Sequence, residues 1–247
     1  MLETLLGFAL VLTRLSAFFL ILPVFGWMAI PVRVKVAATV LLSVFFCIMT
    51  PLGVDAATVS TVKAVLLLAS EATYGLALGL MVTLLFSVVK LSGQIIERQM
   101  GLTMANILDP MTGESARPLG SLLETLFILL FLGANGHHLF LLIIAKSYVA
   151  FPAGTIPTVG VLTTGVITAG SAMLIAGLRL AAPMLAAFLV LMVALALLAR
   201  LVPEMNILFI SMPVRIGLGL LMAGTFLPFI NGYITEMANW MARILPL

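Results

Sequence analysis

The sequence predicts an all-α, polytopic integral membrane protein, and three observations support that fold class. Of its 247 residues, 63% are hydrophobic and only 9% are charged, whereas a soluble globular protein carries about 25% charged residues. The hydrophobic residues form runs of about 20 residues or more, the length that an α-helix needs to cross a bilayer. These runs lack the polar and apolar alternation that is typical of membrane β-barrel strands. The bilayer is therefore the expected solvent.

Six long hydrophobic segments follow one another, and each is predicted to be a helix. Turn-forming and charged residues separate them. The predicted helices cover residues 4–30, 34–52, 62–90, 119–146, 170–200 and 205–231, and a short amphipathic stretch, 233–247, follows them. No connection is long enough to fold separately, so residues 1–247 are predicted to form a single membrane-embedded domain.

Several charged residues interrupt these hydrophobic segments. Arg14 lies near the middle of the first, Glu71 in the third, Arg179 in the fifth and Arg215 early in the sixth. Each would cost about 2.5–3.5 kcal/mol at the centre of a bilayer. We therefore expect other subunits or water, and not lipid, to surround several helices. For Arg14, Arg33 and Arg215, the alternatives are salt bridges to other subunits and snorkelling toward lipid headgroups.

Prolines interrupt the segments as well. Pro23, Pro183 and Pro213 are expected to break or bend otherwise continuous hydrophobic runs. Two stretches, 27–37 and 209–219, are weakly similar to each other, and in both a Pro-Val-Arg sequence is predicted to open an apolar helix.

Small residues on two segments predict close helix packing. Gly75 and Gly79 form a G-x-x-x-G step in the third segment, and Gly177, Ala181 and Ala182 line the fifth. Such faces let helix backbones approach closely. Packing within the chain and packing between subunits are both compatible with this pattern.

Motifs of enzyme chemistry are missing from the sequence. It contains no G-x-x-x-x-G-K-[ST], H-E-x-x-H or G-x-S-x-G motif. Cys47 stands alone in an apolar run and is expected to be a small buried hydrophobe. His137 and His138 follow an Asn-Gly turn signal, and as helix neighbours they would not easily share a metal ion. We expect no enzyme, no cofactor and, with a net charge of only +3, no nucleic-acid surface.

One stretch, QMGLTMANILDPMTG (99–113), suits neither a lipid-facing helix nor a solvated linker. It has few charges, and Met100, Met104 and Met111 stand among Gly, Asn and Thr residues. Methionine side chains are flexible and can repack around different surfaces. On these residues alone, a channel plug and an amphipathic loop at the membrane interface remain alternatives.

The order and spacing of scattered residues resemble the FliR family, the flagellar members of the type III secretion export-gate proteins, over essentially the whole chain. No single motif is diagnostic, but together they make the match specific. The residues that carry the resemblance are Arg14, Pro23, Pro31 and Arg33, then Gly93, Glu97, Gly101, Leu102, Asp109 and Pro110, then Asn135, Gly136, His137, His138, Ser147, Tyr148 and Pro152, and finally Pro183, Arg200, Pro203, Asn206 and Pro213.

The resemblance implies a subunit of a protein export gate. Its partners would be FliP and FliQ, with FlhB around the cytoplasmic mouth, and unfolded flagellar proteins would pass through the centre. The assembly would lie in the bacterial inner membrane at the flagellar basal body. Kinked helical hairpins of several subunits would pack together there.

The resemblance also implies that the segment between the third and fourth helices, around residues 100–115, plugs the channel. The candidate plug residues are Met100, Gly101, Met104, Asn106, Asp109, Pro110, Met111 and Gly113. The candidate inter-subunit or intramembrane charges are Arg14, Arg33, Glu71, Glu97, Arg98, Arg179, Arg200 and Arg215. Glu97 and Arg98 either form ion pairs at the base of the plug segment or face different partners as helix neighbours.

A different function class also fits the residues. Charged residues inside membrane helices often mark transport paths, and Glu71 and Arg179 are such residues. An ion-coupled transporter of small solutes is therefore the alternative hypothesis.

Overall fold

A computed structural model describes residues 2–23, 31–50, 60–102, 118–155, 159–204 and 206–244 of the chain. Within these ranges the protein consists of seven helices and contains no β-strand. The helices are α1 (Leu2–Ile21), α2 (Val32–Met49), α3 (Thr61–Met100), α4 (Pro118–Gly133), α5 (His137–Ala150), α6 (Val159–Leu201) and α7 (Ile207–Ile244). The predicted all-α class is confirmed.

Four of the described helices are long and apolar enough to cross a membrane. They are α1, α2, α3 and α6, and the bent pair of α4 and α5 would make a fifth span if it crosses as one unit. In α7 the apolar part, Phe209–Thr225, is shorter. The polytopic membrane character predicted from composition is therefore confirmed, although the helices differ in length from the six predicted segments.

Two predicted loops turn out to be helical over part of their length. The predicted third segment stopped at residue 90, but α3 continues to Met100, and α6 begins at Val159 where a loop up to residue 170 was predicted. Polar residues had suggested loops at both places. In the helix, the Thr164 and Thr168 hydroxyls donate to carbonyl oxygens one turn earlier, at 2.8 and 2.7 Å. The polar groups are satisfied inside the helix, so they do not end it.

Of the three prolines predicted to break or bend a hydrophobic run, only Pro23 follows the end of a helix, since α1 ends at Ile21. α6 continues through Pro183, and α7 runs through Pro213 and on through most of the predicted separate tail. A proline removes one hydrogen bond and costs about 3 kcal/mol in a helix interior, which the rest of a long hydrogen-bonded ladder can outweigh. Pro31 immediately precedes α2 as predicted, whereas Pro213 does not open its helix.

The fourth predicted segment is broken by the Asn-Gly turn. Residues 134–136 form a turn between α4 and α5. Asn135 adopts a positive φ of 59°, a conformation that asparagine tolerates better than most residues. The sequence predicted a turn signal at Asn135-Gly136 and also one hydrophobic segment over residues 119–146, which this turn divides into two helices.

The chain forms two compact units. The first contains Met1–Phe86, Leu132–Ala172 and Met237–Leu247, and the second contains Ser87–Phe131 and Met173–Glu236. In the first unit, the Phe140 ring of α5 packs against Phe18 of α1 and Phe86 of α3, with ring centroids 6.5 and 5.9 Å apart. In the second unit, Phe127 of α4 packs against Tyr233 of α7 at 5.9 Å.

Glycines let helix backbones touch within each unit. A Cβ atom built on Gly75 would collide with the Arg14 carbonyl oxygen of α1, and one on Gly79 would lie 2.9 Å from the Phe18 carbonyl oxygen. In the second unit, a Cβ atom built on Gly177 would lie 2.8 Å from the Leu91 side chain, and Ala181 is buried, whereas Ala182 is exposed. The G-x-x-x-G step therefore packs within the chain, which is one of the two alternatives that the sequence left open.

We predict that Gly75→Leu destabilises the first unit, because the added side chain has no room against the α1 backbone. Overpacking of this kind costs about 1–3 kcal/mol or more. The measurement is the thermal midpoint of the detergent-solubilised protein, followed by size-exclusion chromatography. Gly170→Leu is the matched control, since nothing lies within 4 Å of a Cβ built there. Equal midpoints for the two variants would contradict the prediction.

Candidate functional site

A buried ion pair joins α1 to α3. The Arg14 Nε donates to Glu71 Oε2 at 2.6 Å, and the two side chains are 3% and 0% exposed. The second carboxylate oxygen, Glu71 Oε1, accepts a hydrogen bond from the Gly154 backbone N–H at 2.8 Å. Gly154 has a φ of +88°, a conformation that side chains with a Cβ rarely adopt. Both oxygens of the carboxylate are therefore paired without any contact with solvent.

The rest of the Arg14 guanidinium binds the end of α5. Its Nη1 donates to the Phe151 carbonyl oxygen at 3.0 Å and reaches the Ser147 carbonyl and hydroxyl oxygens at 3.3 Å each. The Ser147 carbonyl also accepts the Phe151 backbone N–H at 2.9 Å, and the Phe151 carbonyl follows the end of α5, where helix carbonyls lack intrahelical partners. Arg14 thus pairs with the Phe151 carbonyl beyond the helix end and adds a second donor to the Ser147 carbonyl.

Two tyrosines enclose the same guanidinium. The Arg14 Cζ lies 4.5 Å from the ring centroid of Tyr74 and 4.2 Å from that of Tyr148. Cation–π contacts of this kind are worth about 2 kcal/mol when desolvated. The Tyr148 hydroxyl also donates to the Val11 carbonyl oxygen at 3.4 Å. We call Arg14, Glu71, Tyr74, Ser147, Tyr148, Phe151 and Gly154 the arginine cluster.

The arginine cluster changes the interpretation of two predicted charges. The sequence suggested that Arg14 pairs with another subunit or snorkels, but its partner is Glu71 of the same chain. Arg14 sits at the centre of the first unit because three segments converge on it: α1, α3 and the end of α5. The alternative transporter hypothesis treated Glu71 as a transport residue, and in the structure this carboxylate is bound to Arg14 and Gly154.

A second arrangement, in the other unit, lies where the 99–113 stretch begins. Met100 is the last residue of α3 and is 1% exposed. Its side chain fills the space above Gly219 of α7, where an added Cβ would lie 2.5 Å from the Met100 Cγ. Gly101 then ends the helix with a φ of +77°. Met100 was predicted to be a plug residue; its side chain is packed at the start of the segment, and its role in a plug stays a prediction.

Glu97 anchors the other end of the same segment. This buried carboxylate accepts a hydrogen bond from the Leu119 backbone N–H at 2.5 Å, in the first turn of α4. A carboxylate at a helix N-terminus pairs an otherwise open N–H and interacts favourably with the helix dipole. Nearby, the backbones of α3 and α4 touch, since a Cβ atom built on Gly93 would lie only 2.8 Å from the Gly120 Cα. The two ends of the segment are therefore fixed to each other.

The other candidate plug residues belong to the part of the chain that the structure does not describe. Met104, Asn106, Asp109, Pro110, Met111 and Gly113 lie outside the described residues. Glu97 and Arg98 do face different surroundings, as one alternative held: Glu97 is buried and Arg98 is exposed. Together, Glu97, Met100, Gly101, Leu119 and Gly219 form what we call the segment base.

The other predicted charges do not converge on one site. Arg179 of α6 pairs with Glu236 of α7 at 3.2 Å, and their side chains are 75% and 63% exposed. Arg33 and Arg200 are exposed, and Arg215 is half-buried. Among the described residues, no group of three or more His, Cys, Asp or Glu side chains is arranged to hold a metal ion.

Sequence reasoning missed several members of these two arrangements. Tyr74 and Gly154 were not singled out, and Ser147 and Tyr148 entered only through the family resemblance. The identities of Leu119 and Gly219 do not indicate these roles in the sequence. Leu119 contributes only its backbone N–H, and Gly219 contributes space because it has no side chain. A signal existed for Tyr74, because it follows Glu71 by three residues and so lies on the same helix face.

We predict that Glu71→Gln strongly destabilises the protein, because it leaves the Arg14 charge buried without its counter-ion. Breaking a buried ion pair costs about 3–5 kcal/mol. The measurement is the thermal midpoint in detergent. Arg179→Gln is the control, since exposed ion pairs are worth about 0–1 kcal/mol. The double variant Arg14→Leu, Glu71→Leu should be less destabilised than Arg14→Leu alone. If Glu71→Gln behaves like Arg179→Gln, the arginine cluster does not stabilise the fold.

Comparison with known proteins gives a consistent result over the whole chain. Residues 5–241 match the family profile described as "Bacterial export proteins, family 1". The chain is 30% identical to the flagellar biosynthetic protein FliR of Bacillus subtilis, over 87% of this chain and 84% of that protein. It is 29% identical to FliR of Escherichia coli, over 95% and 90% of the two chains. It is also 29% identical to the Yop proteins translocation protein T of Yersinia pestis, over 85% and 82%.

These matches agree with the resemblance found in the sequence and with the helical membrane fold. The protein is a membrane component of a bacterial type III protein export system. The chain belongs to the FliR family of bacterial export proteins.

Proposed function

We propose that this protein is a structural subunit of the flagellar type III export gate. It assembles with FliP and FliQ, and FlhB contacts the cytoplasmic side of the assembly. The complex lies in the bacterial inner membrane at the flagellar basal body and passes unfolded flagellar proteins. The segment around residues 100–115 serves as the plug of its channel.

The observation that carries this proposal is the exposed apolar surface of α6. This helix has 43 residues, so its axial length is about 65 Å, whereas the hydrocarbon core of a bilayer is about 30 Å thick. Large hydrophobic side chains are exposed along its whole length, from Val161 through Leu178 to Leu201. A bilayer can cover only about half of that surface. The remainder needs partner proteins, which is the environment that a hetero-oligomeric gate provides.

The exposed ion pair Arg179–Glu236 supports the same conclusion. Arg179 lies near the middle of α6, among the exposed Leu178 and Ile175 side chains. A charged residue there is costly against lipid, since it would cost about 2.5–3.5 kcal/mol at the bilayer centre. Protein or a water-filled space is therefore the environment that suits this part of the helix. The pair is confined to the second unit and gives no support for a transport path through Glu71.

The geometry of the segment base supports the proposal that the segment around residues 100–115 is a plug. A plug has to seal a channel at rest and move aside for chains of any sequence. The structure anchors both ends of the segment, through Met100 on Gly219 and through Glu97 on Leu119. The residues between them include Met104 and Met111, whose flexible side chains suit a seal that must repack. Fixed ends and an adaptable middle would let the segment move without separating α3 from α4.

We predict that the affinity-tagged protein purifies from mild detergent as part of a large complex containing other small membrane proteins. The physical reason is the apolar surface of α6 that a bilayer cannot cover. Blue-native electrophoresis followed by mass spectrometry identifies the companions. Leu178→Glu should release them, whereas Lys63→Glu, at an exposed position at the start of α3, should not. A monodisperse, stable monomer from the native membrane would contradict the assembly.

We also predict that replacing residues 104–113 with a Gly-Ser sequence of equal length leaves assembly intact and makes the resting complex leak. The replacement keeps the length and both anchors and removes every side chain of the segment's middle, including the two methionines, Ile107, Leu108 and the Asp-Pro step. Ion flux across vesicles containing the purified complex is the measurement. The double substitution Met104→Leu, Met111→Leu keeps the apolar volume and should leak far less. A tight barrier in the Gly-Ser variant would show that the segment is not the seal.

A further inference from the structure

Helices α6 and α7 contain two charge-free stretches of equal length. On α6, no Asp, Glu, Lys or Arg residue lies between Arg179 and Arg200. On α7, none lies between Arg215 and Glu236. Each pair of charged residues is 21 positions apart in one continuous helix, which corresponds to about 32 Å at about 1.5 Å per residue. Since the hydrocarbon core of a bilayer is about 30 Å thick, each stretch has the length of one membrane crossing.

The two stretches lie side by side in the second unit. Arg179 and Glu236 form an ion pair at 3.2 Å, so one end of the α6 stretch lies beside one end of the α7 stretch. The helices follow each other through the short connection 202–206, and Arg200 and Arg215 mark the opposite end of this helical hairpin. Both members of the ion pair and Arg200 are exposed, and Arg215 is half-buried. The hairpin thus carries charge at its two ends and none between them.

The exposed surface between the two charged ends is apolar. Leu189 and Val190 of α6 are 64% and 67% exposed, and Leu221 of α7 is 68% exposed. Thr225 is an exposed polar residue of the same stretch, and its hydroxyl donates to the Met222 carbonyl oxygen at 2.8 Å. Because this hydroxyl is bonded inside its own helix, it does not require water. The surface therefore suits a hydrocarbon environment.

The exposed charges that the structure describes on α3 in this unit lie near the same two ends. Lys90, whose side chain is 46% exposed, precedes Leu91, and the Leu91 side chain lies against Gly177 at the ion-pair end. Arg98 is exposed and lies in the last turn of α3, which packs on Gly219 toward the opposite end. A long basic side chain can extend along an apolar surface and place its charge at a bilayer interface.

We propose that the lipid bilayer covers this hairpin between its charged ends, over residues 180–199 of α6 and 216–235 of α7. The hydrocarbon core contacts the apolar side chains, and the charged ends lie at the two headgroup regions. A protein partner could also cover an apolar face, but it would give no reason for both stretches to match the thickness of the core. The equal lengths on two neighbouring helices, with exposed charges at both ends, therefore favour lipid as the occupant.

This placement also identifies the apolar surface that is left for a partner. Leu174 and Ile175 are 56% and 68% exposed and lie on the other side of Arg179. They fall outside the hydrocarbon core, so a neighbouring subunit covers them. This second assignment rests on the proposed export-gate function, whereas the bilayer contact of the hairpin does not.

The test measures what surrounds single spin labels. The affinity-tagged protein, with the partners that purify with it, is reconstituted into vesicles of phosphatidylethanolamine and phosphatidylglycerol. Nitroxide labels are attached to Ile175→Cys, Val190→Cys, Leu201→Cys and Leu221→Cys, each combined with Cys47→Ser. Power-saturation electron paramagnetic resonance compares collisions with oxygen, which concentrates in lipid, and with a water-soluble nickel chelate. A label covered by protein collides with neither reagent.

The ratio of oxygen to nickel collisions should be highest at Val190→Cys, near the middle of the α6 stretch. It should be several-fold lower at Leu201→Cys, a position 79% exposed just beyond the charged end. Leu221→Cys, which lies between the middle and an end of the α7 stretch, should give an intermediate ratio. Ile175→Cys should collide little with either reagent.

Three results would overturn the bilayer contact. Few collisions with both reagents at Val190→Cys would show that protein covers the middle of the hairpin, and frequent nickel collisions there would show water. A ratio at Leu201→Cys or Ile175→Cys as high as that at Val190→Cys would show that the charged residues do not bound the hydrocarbon core.

The outcome for the hairpin is separate from the outcome for the export gate. If the protein purifies without companions, the labels at Val190→Cys and Leu201→Cys still decide whether lipid covers the hairpin. Frequent nickel collisions at Ile175→Cys would overturn only the assignment of that position to a partner. The companions identified by mass spectrometry decide on the export gate.

Discussion

The first unit of this protein depends on a single desolvated charge. A guanidinium in an apolar interior is unstable unless every donor finds an acceptor and a counter-ion lies in contact. Arg14 finds its counter-ion and its carbonyl acceptors only when α1, α3 and the end of α5 are correctly placed, because Glu71, Ser147 and Phe151 come from different segments. Among the described residues, no buried side-chain nitrogen or oxygen lacks a partner. The requirement that buried polar groups form hydrogen bonds therefore selects one arrangement of helices that are otherwise similarly hydrophobic.

Hydrophobicity alone could not make that choice in a membrane. Lipid tails are as apolar as leucine, so helices associate through close packing and polar contacts. The chain uses both: Gly75 and Gly79 bring α3 onto the α1 backbone, and the arginine cluster fixes the register of the same two helices. In the second unit, Gly93 and Glu97 play the corresponding parts between α3 and α4. Each unit thus combines a glycine contact with a buried carboxylate.

The need to pair buried charges distinguishes the charged residues that stabilise each unit from those on the exposed surface. Arg14, Glu71 and Glu97 are buried and hydrogen-bonded within the chain. Arg179 and Glu236 meet each other on an exposed surface, and the long apolar face of α6 surrounds them. Charges of the first kind hold each unit together. The outward-facing apolar and charged surface is what a partner subunit would recognise, which connects the packing of this chain to an assembled export gate.

The sequence by itself determined the solvent, the helical class and the family, because these follow from composition, segment length and the order of marked residues along the chain. It also located the Asn-Gly turn, since turn chemistry is local. Only the tertiary structure decided that Arg14 pairs with Glu71, that Met100 is packed on Gly219, and that α3 continues past Lys90. These outcomes depend on residues distant in sequence. Lys90, for example, lies inside α3 and pairs with Glu124 of α4 at 2.9 Å. Hydropathy and turn signals report local preference and contain no information about such partners.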